Sequence, residues 1–169
     1  PERIAASSMA AFMKFVNERH GKKLAGYADL HRWSVDAMED FWVAVWDFCG
    51  VIAETRGGTV IADKARMPGA RFFPEARLNF AENLLRHSDE PGDAIVFWGE
   101  ARVKTRLTRA QLRDEVSRMQ QALAAAGVKE GDRVAAFMPN MPETVVAMLG
   151  AASLGATFTS CSPDFGANG

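Results

Sequence analysis

From Asp93 onward the chain alternates short apolar runs of strand size with helical periods, and this order restricts the fold more than any other feature. Ala94-Ile95-Val96-Phe97-Trp98 reads as a buried strand, Gly99-Glu100 as a hairpin turn and residues 101–107 as a half-exposed strand. Thr108-x-x-Gln111 is a capping box for a helix with Leu112, Val116, Met119 and Leu123 inward, stopped at Gly127. Arg133-Val134-Ala135-Ala136-Phe137-Met138 is a further strand. Pro142 suits a first helical position, residues 143–154 form a helix apolar almost all round, and Gly155-Ala156-Thr157-Phe158-Thr159-Ser160 is one more strand. Strand, helix, strand, helix, strand implies right-handed crossovers and a parallel sheet, which needs helices on both faces. Two helices cannot supply both. The expectation is an α/β fold whose sheet is the beginning of a larger one, in a chain that is the N-terminal part of a longer protein.

The first ninety residues follow different rules. Ser7 or Ser8 can cap a helix carrying Met9, Phe12, Met13 and Val16 on one face, ended by Gly21, after which Lys22 and Lys23 begin a connector. Ser34 is expected to open a second helix, in which Val35, Met38, Phe41, Trp42, Val45, Trp46 and Cys49 recur at helical spacing and Gly50 is the stop. A connector with Arg56-Gly57-Gly58 and Arg66-Met67-Pro68-Gly69 leads to Phe72-Phe73-Pro74 and a short helix around residues 78–85. No sheet is expected there. Aromatic residues crowd the first hundred positions and Ala, Gly and Ser the last fifty. The turn-rich Asp89-Glu90-Pro91-Gly92-Asp93 is the expected seam, giving a helical extension over 1–90 and the start of a sheet domain over 91–169.

Charge and motif content exclude several function classes. Lys and Arg total 20 against 21 Asp and Glu, without the basic excess that phosphate-backbone binding needs, so no nucleic-acid partner is expected. The apolar stretch 145–154 falls short of the roughly 20 residues that span a bilayer, and Pro1-Glu2-Arg3-Ile4 opens no signal peptide; no membrane partner and a cytoplasmic location are expected. Cys49 and Cys161 form no CxxC pair, which argues against a disulfide framework or a thiolate metal site. The phosphate-loop pattern GxxxxGK[ST] and the patterns GxGxxG, HExxH and GxSxG are all missing.

Individual residues leave choices open. His20, His31 and His87 lack partners at metal or triad spacing and read as surface or capping histidines. Cys161 follows a strand and is either a nucleophile or a half-buried thiol. Arg102, Lys104 and Arg106 alternate along one strand face, to hold a phosphate or simply as a solvated face. Phe41, Trp42 and Trp46 line a pocket or pack a core. The strongest position belongs to Ser160-Cys161-Ser162-Pro163-Asp164-Phe165-Gly166, at the carboxyl end of an expected parallel strand where ligand crevices form, although its residues also suit a plain turn.

Gly127-Val128-Lys129-Glu130-Gly131-Asp132-Arg133-Val134, then Met138-Pro139-Asn140-Met141-Pro142-Glu143, then Gly155-Ala156 resemble the opening of the adenylation domain in the adenylate-forming acid–CoA ligases. Trp33-Ser34-Val35-Asp36, Phe41-Trp42 and Phe73-Pro74-Glu75-Ala76-Arg77-Leu78-Asn79-Phe80-Ala81-Glu82-Asn83-Leu84-Leu85 resemble the N-terminal extension of their acetyl-CoA synthetase branch. Within it, the 78–85 wording and residues 160–166 look most like the acetoacetate-activating members.

The resemblance implies a two-step reaction. A carboxylate attacks the α-phosphate of ATP with Mg2+ to give an acyl-adenylate and pyrophosphate, and the thiol of CoA then displaces AMP. The small-molecule partners would be acetoacetate, ATP and CoA. The family's phosphate loop, ribose-binding aspartate and mobile lysine have no counterpart in residues 1–169, so no catalytic residue carries over and the chain alone is expected to be inactive. The stretch that does map is the turn bordering the pantetheine tunnel, where acetyl-CoA synthetases carry Gly-Gly-Phe: Phe165 matches the aromatic and Asp164 stands in place of a glycine. Pro163, Asp164, Phe165 and Gly166 are thus the candidate CoA-tunnel wall. Alternatives are an acetate or propionate ligase, and, on the residues alone, a non-enzymatic α/β binding module.

Overall fold

The computed structural model describes residues 2–100 and 103–168, so Arg102 of the basic strand face lies outside the described residues. The chain divides into two compact units, Pro1–Leu78 and Asn79–Gly169.

The first unit is built from α1 (Glu2–Ala5), α2 (Ser8–His20), α3 (Tyr27–Asp36) and α4 (Met38–Cys49), followed by a connector with β1 (Ile61–Ala62) and β2 (Arg71–Phe72). Ser7 is the cap of α2, its hydroxyl accepting the Ala10 N–H at 3.2 Å, and Gly21 closes the helix in the left-handed region that glycine adopts freely. Ser34 does not open a helix. It lies inside α3, donating its hydroxyl to the His31 carbonyl at 2.7 Å. The break falls at Ala37 (φ −124°, ψ 56°), without glycine, proline or a side-chain cap to announce it in the sequence.

The α4 stripe faces two ways. Phe12 of α2 is buried against Phe41 (ring centroids 5.9 Å, edge-on) and Phe48 (5.2 Å), and Trp33 of α3 meets Phe41 at 5.8 Å. With Val16, Leu30 and Ala44 these rings form the core of the unit. Edge-to-face geometry adds attraction beyond the area buried. Trp42 and Trp46 point to the connector instead, meeting Phe72 at 5.2 Å and Phe73 at 4.7 Å. Phe73 holds φ +45°, a region that side chains of its size avoid, with its N–H on the Val60 carbonyl at 2.8 Å.

The expectation of no sheet before residue 90 needs correction. β1 and β2 pair antiparallel (Ile61 opposite Phe72, Ala62 opposite Arg71) and Thr55 bridges Arg77. Such short pairings carry too little alternation to be read in advance. Glu75 pins the same connector, accepting the Gly58 N–H at 2.7 Å and the Thr59 hydroxyl at 2.6 Å. Those donors hold its carboxyl below the ordinary carboxylate value, the Thr59 hydroxyl most of all. A Cβ at Gly57 (φ +77°) would collide with the Glu75 Cβ, so glycine is required there for space as well as conformation.

The second unit runs α5 (Phe80–Leu85), β3 (Asp93–Trp98), β4 (Lys104–Thr108), α6 (Arg109–Ala125), β5 (Arg133–Phe137), α7 (Pro142–Ser153), β6 (Thr157–Cys161) and a 3-10 segment Pro163–Asn168. The capping box forms as read: the Thr108 hydroxyl accepts the Gln111 N–H at 3.2 Å and the Gln111 side chain accepts the Thr108 N–H at 2.9 Å. Ala81, Leu112, Val116, Val146 and Leu149 make the core where α5, α6 and α7 meet. Gly150 lets α7 approach α6 closely, since a Cβ there would stand 2.6 Å from the Met119 Cγ.

The strands form partial sheets, as expected of an incomplete α/β domain. β5 and β6 pair in parallel, Arg133 opposite Thr157 through Phe137 opposite Cys161, with α7 packed on them. β3 and β4 form their own antiparallel ribbon, with no ladder to β5 or β6 among the described residues. The reading of β3 as buried is corrected too: Ile95 and Phe97 are half-buried while Val96 and Trp98 are exposed, because α6 covers the ribbon on one side only. β5 alternates likewise, with Val134 and Ala136 half-buried and Phe137 63% exposed. A parallel pair with one open face lacks the second helical layer that such sheets require.

Candidate functional site

The turn after β6 is fixed from both ends of the strand. Where β6 starts, the chain leaves α7 through Gly155 (φ +72°), whose carbonyl accepts the Gly131 N–H at 3.0 Å, while the Thr157 N–H reaches the Asp132 carbonyl at 2.8 Å. The Asp132 carboxylate in turn accepts the Lys129 N–H at 2.8 Å. The turn before β5 and the turn before β6 are thereby zipped together, which sets the parallel register and gives Gly131-Asp132 and Gly155 a physical role.

Where β6 ends, Ser162 organises the candidate wall. Its hydroxyl donates to the Asp164 carboxylate at 3.0 Å and accepts the Asp164 N–H at 3.3 Å, and its carbonyl accepts the Phe165 N–H at 3.2 Å. Pro163 starts the 3-10 segment with its restricted φ. Gly166 adopts φ 60° and ψ −163°, a region essentially confined to glycine, although a Cβ there would meet nothing; conformation, not space, makes the demand. Among the described residues, Asp63 and Phe73 are the non-glycine positions at positive φ, so Asp164 carries no left-handed backbone strain. The Phe165 ring is 65% exposed. Pro163, Asp164, Phe165 and Gly166 therefore stand on one turn at the carboxyl end of a parallel strand.

The other candidates have local partners of their own. His20 is half-buried with its ring 6.0 Å from Trp33, and His31 is exposed beside Tyr27, also at 6.0 Å. His87 is exposed, with Nδ1 2.8 Å from Glu90 and Nε2 2.8 Å from the Arg86 guanidinium. Among the described residues no group of three His, Cys, Asp or Glu could hold a metal. Cys49 is exposed, and Cys161 is half-buried with its thiol on the Ser162 carbonyl at 3.6 Å. Lys104 lies 4.5 Å over the Trp98 ring and Arg106 pairs with Asp93, which commits both cations to partners within the ribbon.

Sequence reasoning missed two features of the second unit. A cavity of about 310 Å³ opens between α5, β3 and α6, lined by Leu85, Ile95, Leu112 and Val145 with His87 and Arg109; none of its lining residues belongs to the turn. Asn79, quoted only as part of a likeness, bonds across more than seventy residues. Its position before an apolar run was the one signal that marked it as a cap. Among the described residues no helix is long and apolar enough to cross a membrane.

Comparison with known proteins agrees with the order of the two units. A family model described as acetyl-coenzyme A synthetase N-terminus matches residues 27–84, and one described as AMP-binding enzyme matches residues 84–169. The acetoacetyl-coenzyme A synthetase of Rhizobium meliloti (strain 1021) is 55% identical over 168 residues, covering 99% of this chain and 26% of the relative. The malonamoyl-CoA synthetase of Penicillium aethiopicum is 39% identical over 171 residues, 97% of this chain and 24% of the relative. The structure of acetoacetyl-CoA synthetase from Streptomyces lividans superposes with a TM-score of 0.88 at 42% identity, covering 99% of this chain and 26% of that one. The chain thus spans about a quarter of the length of the relatives it matches. With more than half of its residues matched by the family model, this chain belongs to the AMP-binding enzyme family, as a stretch that joins an acetyl-coenzyme A synthetase N-terminus to the front of the AMP-binding region.

Proposed function

We propose that this chain is the front part of an ATP-dependent acid–CoA ligase that converts acetoacetate, ATP and CoA into acetoacetyl-CoA, AMP and pyrophosphate. The observation that carries this reading is the 55% identity to an acetoacetyl-coenzyme A synthetase across nearly the whole chain. In the first step a carboxylate oxygen bonds to the α-phosphorus of ATP and pyrophosphate leaves. In the second the CoA sulfur bonds to the acyl carbon, AMP leaves and the thiol proton goes to solvent. Adenylation is needed because a carboxylate is a poor electrophile, and the enzyme must offset charge building on the phosphates. Magnesium bound with ATP would supply part of that offset. A cytoplasmic location accords with these substrates.

Within this scheme residues 1–90 act as the helical extension and residues 91–169 as the opening of the adenylation domain. Pro163, Asp164, Phe165 and Gly166 wall the passage for the pantetheine arm. The exposed Phe165 ring offers it an apolar surface, Gly166 and Pro163 fix where that ring stands, and Asp164 is turned back onto Ser162. The likeness to a malonamoyl-CoA synthetase favours a second acid of the same build, because malonamate differs from acetoacetate by an amide nitrogen in place of the methyl.

Pyrophosphate release tests the proposal. The isolated chain should release none above blank with ATP, acetoacetate and CoA, whereas the full-length protein should release it in proportion to acetoacetate and form the thioester. Turnover by the isolated chain, or a full-length protein indifferent to both acetoacetate and malonamate, overturns the reading.

A further inference from the structure

We infer that Asn79 is a positioning residue: by holding the end of α7 it sets the start of β6, and through that strand the turn carrying Phe165. Asn79 is the N-cap of α5, its Oδ1 accepting the Glu82 N–H at 3.2 Å. Its Nδ2 reaches a different part of the unit, donating to the Ala152 carbonyl at 2.9 Å and the Ser153 carbonyl at 3.2 Å. These carbonyls belong to the last turn of α7, where no further helical N–H is available. The Ala152 carbonyl also accepts the Gly155 N–H at 3.0 Å, so the same atom anchors the glycine from which β6 departs.

The asparagine amide accepts for one helix through its oxygen and donates to the other through its separate nitrogen, so the two arms can be removed independently. Aspartate retains the acceptor and loses the donor. It would also set a negative charge against the negative end of the α7 dipole. Serine retains a cap for α5 and cannot span to α7. The pair therefore isolates the donating arm from the cap itself. Among the described residues Asn79 makes the side-chain bonds to these two α7 carbonyls, and they add to the backbone bonds of Gly131 and Thr157 that also hold the start of β6.

The experiment compares Asn79→Asp and Asn79→Ser with Thr108→Ala, which removes a helix cap elsewhere in the same unit, all in the full-length protein. Amide hydrogen exchange across residues 157–166 should speed up by about tenfold in both Asn79 variants and stay unchanged in Thr108→Ala, because local opening reports the loss of a local restraint. Equal exchange in all three proteins overturns the inference. Its consequence for catalysis rests on the CoA reading of the turn: KM for CoA should rise about three- to tenfold, while acetoacetate-dependent ATP–pyrophosphate exchange keeps its rate. Faster exchange with an unmoved KM for CoA would uphold the positioning role and refute the turn as a CoA wall, so the two readings fail separately. Should Asn79→Asp not fold, Asn79→Ser alone decides.

Discussion

The two units hold together by opposite means. Residues 2–78 close on themselves through rings: Phe12, Trp33, Phe41 and Phe48 interlock within one small core, and Trp42 and Trp46 fasten the connector through Phe72 and Phe73. The second unit packs aliphatic side chains instead, Leu112, Val116, Val146 and Leu149 with Ala81, lets α7 close on α6 at Gly150 against Met119, and leaves Phe137 and Trp98 open. A ring core can be completed by a few helices. A parallel β-layer cannot, because each face needs its own cover. The difference lies in which layers are complete: the ring core closes among α2, α3 and α4, whereas the β5–β6 pair has a helix on one face.

The largest effect should come from breaking the ring core. Phe12→Ala removes the ring that Phe41 and Phe48 pack on and should cost about 3–5 kcal/mol, read by urea unfolding. A loss below 1 kcal/mol would erase the contrast between the units. Next comes Gly150→Val, which forces α7 away from Met119 and should cost about 1–3 kcal/mol through overpacking. Phe137→Thr sharpens the comparison from the other side. On an uncovered face it should change the stability of the isolated chain by no more than about 0.5 kcal/mol, while lowering its binding of a hydrophobic dye. A large loss would show that the face is already covered.

The smallest expected effect concerns pH. The Glu75 carboxyl is held below its ordinary value when folded, so the folded state binds fewer protons than the unfolded one and stability rises with pH across that window. Its contribution is present above the ordinary carboxylate pKa and fades as pH falls through the lower folded one. Thermal unfolding of Glu75→Gln should therefore lose part of the acid-side dependence that the parent protein shows.

What could be read in advance depended on how locally it was determined. The Thr108 capping box, the Ser7 cap, the Gly21 and Gly50 stops and the order of strands from Asp93 are written in neighbouring residues, and the structure realises each. The helix break at Ala37 was hidden because no glycine, proline or cap marks it. The separation of the β3–β4 ribbon from β5 and β6 is decided by hydrogen bonds between distant segments. At the candidate turn the residues themselves were legible. The turning of the Asp164 carboxylate back onto the Ser162 hydroxyl was not, since a backbone conformation decides it and no residue type discloses that.

Phe73 carries a consequence for reading substitutions. Its left-handed backbone costs on the order of 1–3 kcal/mol, and its ring on Trp46 returns a comparable stabilisation. Glycine at this position would relieve the one and abolish the other, leaving a stability close to that of the parent. An apparently silent exchange at residue 73 would thus conceal two opposed changes of similar size. Alanine, which keeps the unfavourable angle without the ring, would reveal them.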